Sequence, residues 1–208
     1  MLVRAGFQTR SFEERFITLA IPYKVIGGLR FYERQEIRDA IAYIRILMDD
    51  SNDLAFERII NLPKRGIGKS TLEGLYRNSR AKGISLYQST LEMQAGLGTK
   101  SKGALGQLLA DFAKWRAMLN DPEKTHEAVV ETMLNESGYV NMWKEEAQKE
   151  RSVEAEGRLE NLSELIRAIA EFENLTDFLD HISLVMDNDD NKNGEMVSIM
   201  TLHARSEE

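Results

Sequence analysis

This chain of 208 residues contains no cysteine, and only three prolines and three histidines. Without cysteine it can form no disulfide, no thiolate zinc site and no cysteine nucleophile, a composition that fits a reducing cytoplasm. The few prolines and the lack of any low-complexity tract exclude collagen-like and wholly disordered chains. No apolar run approaches 18 residues, so no segment reads as a bilayer-spanning helix and no membrane association is expected. The opening Met1–Phe7 lacks the basic-then-apolar order of a secretion signal. His126, His181 and His203 are far apart, so no metal site is expected. What is present is ordinary for a globular protein: 42% hydrophobic and 29% charged side chains, enough for one sizeable core or for one domain and part of another.

The formal charge of −7 is unevenly spread. Residues 57–82 hold seven Lys/Arg against two Asp/Glu, whereas 83–208 hold 12 against 24. One short basic island therefore sits in an acidic protein, and the local field, not the net charge, decides where a polyanion docks.

Along the chain the hydrophobic period changes twice. Met1–Arg4 reads as a short strand. Ser11 is the expected cap of a helix carrying Phe12, Phe16 and Leu19, and Tyr23–Ile26 reads as a second strand stopped by Gly27-Gly28. From about Phe31 the period is helical. Ile37, Ile41, Ile44 and Leu47/Met48 form one stripe, and a second helix over Leu54–Leu62 is closed by Pro63. Further helices are expected over Thr71–Arg80, Ser85–Met93, Leu105–Leu119, Thr125–Ser137 and Leu159–Phe172, and from a cap at Thr176 through Val185. Asp187–Gly194 reads as an acidic linker, and Met196–His203 as a returning strand. The expected class is mainly α: a helical insertion with a small α/β remnant formed by the two ends. Those ends are abrupt, which points to an excised piece with unpaired strands and an edge-pairing hazard.

The strongest local signal is Leu62-Pro63-Lys64-Arg65-Gly66-Ile67-Gly68-Lys69-Ser70-Thr71. Glycines flanking one apolar residue just before a helix let a phosphate approach backbone N–H groups, since they lack Cβ and tolerate positive φ. Lys64, Arg65 and Lys69 add positive charge, and Ser70 or Thr71 offers a hydroxyl or a cap. Contacts of this kind fix register on a duplex without reading its sequence. The alternative is a structural turn with solvated lysines. Gly68-Lys69-Ser70 imitates the end of a P-loop, but Pro63 stands where the first glycine is required and no buried strand precedes it. Asp189–Gly194 copies the first half of a calcium loop, but Met200 occupies the position of its essential carboxylate. Trp115 and Trp143 read as core, and Glu145, Glu146, Glu150, Glu154 and Glu156 as solvated helix faces.

Four stretches taken in order carry a family resemblance: Leu2–Glu14, Ile21–Asp39, Ile59–Gly68 and Val197–Ala204. Together they resemble the UvrD/PcrA/Rep family of DNA helicases. The resemblance implies that residues 1–30 and 195–204 are parts of the second RecA-like motor domain and that 31–194 are its helical 2B insertion. Residues 205–208, which depart from the family's fifth motif, would be a tag remnant. It further implies that Arg4 reaches the ATP γ-phosphate and that Thr201 and His203 begin the motif tracking single-stranded DNA. Gly66 and Gly68 match the glycines of the duplex-contacting loop. Val3 stands where the family commonly has an adenine-stacking tyrosine. The implied parent is an ATP- and Mg²⁺-dependent 3'-to-5' helicase acting at a single-strand/duplex junction, with repair proteins as partners. This chain lacks the phosphate cradle and metal-binding motif that phosphoryl transfer needs, so alone it should neither hydrolyse ATP nor bind ATP or Mg²⁺ tightly. Swivelling is implied at Gly27, Gly28, Asn193 and Gly194. Two rivals remain open: a stand-alone helix-hairpin DNA-binding module, and a helical interaction or regulatory domain. Oligomeric state is not specified.

Overall fold

The computed structural model describes residues 1–150, 153–187 and 196–201, without the side chains of Glu150, Val153 and Asp187. The expected hinge residues Asn193 and Gly194, the Asp189–Gly194 loop and His203 lie outside the described residues. The fold is mainly α with one small parallel sheet. Its strands are β1 (Leu2–Val3), β2 (Tyr23–Ile26) and β3 (Val197–Thr201). Its helices begin with α1 (Thr9–Thr18), α2 (Gln35–Met48), α3 (Asp53–Ile59), α4 (Lys69–Lys82) and α5 (Leu86–Met93). They continue with α6 (Thr99–Leu119), α7 (His126–Glu136), α8 (Tyr139–Glu150), α9 (Val153–Ile169) and α10 (Leu175–Asp187). Contacts divide the chain into two compact units, Met1–Arg38 with Trp143–Glu208, and Asp39–Met142.

In the first unit the two ends of the chain meet. β3 lies between β1 and β2 and runs parallel to both, with Leu2 opposite Met200 and Tyr23 opposite Val197. The terminal strands are therefore paired with each other, contrary to the expectation of unpaired ends. Three strands can share a hydrophobic face where two could not. Val3, Tyr23 and Ile199 form that face, covered by Phe16 and Ile17 of α1.

α1 begins two residues ahead of Ser11, which is inside the helix. The side chain of Gln8 accepts from the amides of Arg4 and Ala5 and closes a 3-10 turn that leads into α1. Its buried positions are Thr9, Arg10 and Glu13, whereas Phe12 and Leu19 are exposed. Arg10 donates to Glu14, Glu164 and Glu171 at 2.7–2.8 Å, so its buried charge is fully paired. Nearby, Arg34 donates to Asn161 Oδ1, the Gly6 carbonyl and Thr9 Oγ1. Trp143 is buried with the Arg158 guanidinium 4.3 Å above its ring centre. α10 is capped by Asn174, which accepts from the Asp177 amide, and not by Thr176.

The second unit packs around a chain of rings, Phe56, Tyr87, Phe112 and Trp115, with Tyr43 stacked on Phe112. The Ile41, Ile44 and Leu47 stripe of α2 is buried as its spacing predicts, while Met48 turns outward. α3 ends at Ile59, short of the expected Leu62, and is capped by Asn52. α6 starts at Thr99, well ahead of Leu105, because its first turns are polar and carry no periodic apolar signal.

Candidate nucleic-acid interface

The basic motif forms the connection between α3 and α4. Its shape is set by Asn61, a residue the sequence reading passed over. Asn61 Oδ1 accepts from the amides of Arg65 (2.8 Å) and Ile67 (3.3 Å), while its Nδ2 donates to the Ile67 carbonyl (3.1 Å). Ile67 is buried and anchors the turn, with exposed glycines on either side. Gly66 has φ of +71°, a left-handed conformation that favours glycine.

α4 begins at Lys69 with Gly68 as its cap, so neither Ser70 nor Thr71 performs that role. The Gly68 carbonyl accepts from the Thr71 and Leu72 amides. The amides of Gly66, Gly68, Lys69 and Ser70 have no protein acceptor among the described residues. They lie on an exposed corner at a helix N-terminus, where the partial positive charge of the backbone favours an anion.

The three cations of the motif divide. Lys64 is exposed and Lys69 is 91% exposed, its nearest carboxylate, Glu73, standing 3.9 Å away. Such a pair is largely screened by water. Arg65 instead turns inward. Its guanidinium donates to the carbonyls of Ile59 (2.8 Å), Leu62 (3.0 Å) and Ser137 (3.3 Å), and to Tyr43 Oη (2.7 Å). These neutral acceptors surround the planar fork and engage its donors within the protein. A lysine from elsewhere in the chain lies beside the turn. Lys100, in the first turn of α6, lies against Gly66 and is exposed. Its only sequence signal was the polar run Thr99-Lys100-Ser101-Lys102.

A separate set of positions lies in the first unit, at the carboxyl edge of the parallel sheet, where α/β folds hold their ligands. Arg4 follows β1, Gly27 follows β2, and Thr201 closes β3 opposite Val3. Arg4 is exposed and has no ion-pair partner among the described residues. Val3 is 5% exposed in the sheet core and offers no surface to a base. Gly27 has φ of +77°, and Gly28 has open space around it. The chain is fixed again at Phe31, whose amide donates to both carboxylate oxygens of Glu13.

Among the described residues no group of three or more His, Asp or Glu side chains is placed to hold a metal ion. No described helix is long and apolar enough to cross a membrane.

Comparison with known proteins adds an independent line. The family model of UvrD-like helicase C-terminal domains matches residues 1–205. The chain is 48% identical over 209 residues to DNA helicase II of Rickettsia typhi, covering 98% of this chain and 31% of that protein. It is 32% identical to ATP-dependent DNA helicase PcrA of Staphylococcus epidermidis and to that of Bacillus subtilis, again over 98% of this chain, and over 28% and 29% of theirs. The chain thus spans about a third of the length of these curated relatives.

Proposed function

We propose, from the premise that this chain belongs to the UvrD-like helicase C-terminal domain family, that it is part of an ATP-dependent 3'-to-5' DNA helicase and contributes the grip on duplex DNA at the single-strand junction. The observation that carries this reading is the corner between α3 and α4. There the unpartnered amides of Gly66, Gly68, Lys69 and Ser70 lie beside the exposed ammonium groups of Lys64 and Lys69. Such a surface meets phosphates without selecting a sequence, as a moving helicase requires. Ile67 supplies the anchor beneath it and Thr71 the first turn of the supporting helix.

In the whole protein, Arg4 would serve the motor by stabilising charge on the γ-phosphate of ATP, whose Mg²⁺ and phosphate cradle come from motifs this chain does not carry. By itself the chain does not hydrolyse ATP. Thr201 and His203 would follow the single strand. Residues 1–30 and 195–204 would belong to the motor and 31–194 to the inserted subdomain. Rotation at Gly27–Gly28 and Asn193–Gly194 would then regulate unwinding, in the cytoplasm and under the control of repair partners.

The test is fluorescence anisotropy on a duplex with a 3' single-stranded tail, over a salt series, for the chain and its Lys64→Ala/Lys69→Ala variant. Weak, salt-sensitive binding is expected, with the log–log slope falling by about 0.9 for each phosphate contact removed. Equal binding by both proteins would sink the reading and favour a partner-binding role for the helices.

A further inference from the structure

We propose that Arg65 is the positioning residue of this corner: it touches no phosphate, and its guanidinium holds the Gly66–Ser70 turn in the shape that presents the amides. The proposal rests on the duplex-contact reading above and adds to it a division of labour among the three cations of the motif.

The geometry is specific. Arg65 Nη1 donates to the Ile59 carbonyl at the end of α3 and the Leu62 carbonyl just beyond it, while Nη2 reaches Tyr43 Oη on α2 and the Ser137 carbonyl between α7 and α8. Tyr43 is fully buried, and its hydroxyl donates in turn to the Leu62 carbonyl. Arg65 therefore ties the residue immediately before the left-handed Gly66 to three separate elements of the second unit. From the other side, Asn61 fixes the Arg65 and Ile67 amides. Every acceptor around the guanidinium is neutral, so the side chain keeps its charge below the turn while its donors are used internally. A lysine could keep the charge but has only three donors on one atom and cannot span acceptors on opposite sides.

The experiment compares the chain with Arg65→Lys, Tyr43→Phe and Lys64→Ala/Lys69→Ala by anisotropy on the same tailed duplex across salt, with circular dichroism to confirm folding. The expected result is that Arg65→Lys weakens binding about tenfold, because carbonyls lose their donors and the turn relaxes, while the log–log slope stays that of the unaltered chain. Tyr43→Phe, which changes no charge, should weaken binding in the same sense and decides the matter by the same criteria if Arg65→Lys does not fold. A slope reduced by about 0.9 in Arg65→Gln, a further single variant that removes the charge which Arg65→Lys keeps, would mean that the arginine itself contacts phosphate, overturning the proposal. So would a folded Arg65→Lys of unchanged affinity while the lysine pair loses binding. A lysine pair that binds like the unaltered chain overturns the duplex-contact reading itself, and this proposal with it.

Discussion

A Cβ added to Gly66 would lie 2.8 Å from Cε of Lys100, so the lysine stem rests directly on the glycine. The contact brings a cation from the start of α6 onto a turn whose own arginine faces inward. It also makes Gly66 intolerant of a side chain on two counts, the close approach and a φ of +71°. Gly66→Ala should destabilise the chain by about 1 kcal/mol, mostly from the backbone, because a flexible lysine can move aside. In a thermal melt this corresponds to a fall of about 2–4 °C for a chain of this size. An unchanged melting temperature would mean that the turn relaxes freely to another conformation.

Gly68 provides the contrast. It has φ of −81° and nothing within 4 Å of an added Cβ. Gly68→Ala should therefore cost no more than about 1 kcal/mol, the usual difference between glycine and alanine at a helix cap. Yet its methyl group would stand beside the free amides of Lys69 and Ser70. Affinity for the tailed duplex should fall several-fold while the protein remains fully folded at the assay temperature. Undiminished binding would mean that the phosphate does not approach this face of the turn.

The difference between these glycines could not be read from Gly-Ile-Gly, because one depends on a neighbour from α6. The same reason governs what else the sequence concealed. Strands β1, β2 and β3 and most helices announced themselves through local period and composition. That Arg65 turns inward while Lys64 turns out depends on carbonyls of Ile59, Leu62 and Ser137, which no local pattern marks. α1 misled more directly: Phe12 and Leu19 are exposed, and Arg10 is buried because Glu164 and Glu171 arrive from distant sequence. Hydrophobic spacing finds apolar faces; a satisfied polar face is visible only once its partners are placed.

Asp39 is one such buried group in the second unit, 2% exposed, with Oδ1 accepting from Arg58 Nε and Oδ2 from Tyr139 Oη at 2.8 Å. Asp39→Ala removes a buried acceptor of the tyrosine hydroxyl, whereas Arg58, about a third exposed, can turn to water. Urea unfolding should register a loss of about 3 kcal/mol for Asp39→Ala and about 1 kcal/mol for Tyr139→Phe. Because the two side chains share a bond, the double variant should lose less than the sum of the singles. Strict additivity would show that the hydrogen bond contributes nothing in solution.

Glu13 gives a prediction of opposite character, a group whose charge opposes folding. Its carboxylate is buried in the first unit, and desolvation holds its pKa above the ordinary value of 4.5. Hydrogen bonds from Thr9, the Phe31 amide and Tyr23, with the charge of Arg34, pull the other way without cancelling it. The native state therefore binds a proton more tightly than the unfolded chain does. Stability gained from that proton is full below the ordinary glutamate range and is lost as pH rises through the raised native value. Glu13→Gln cannot titrate, so subtracting its stability isolates this group from every other carboxylate in the chain. Measured by urea unfolding from mildly acidic to mildly alkaline pH, the unaltered chain should be at its best relative to Glu13→Gln at the acid end and should decline as pH increases. A difference that instead grew with pH would mean that the donors from Thr9, Phe31 and Tyr23 outweigh burial and hold Glu13 as a carboxylate throughout.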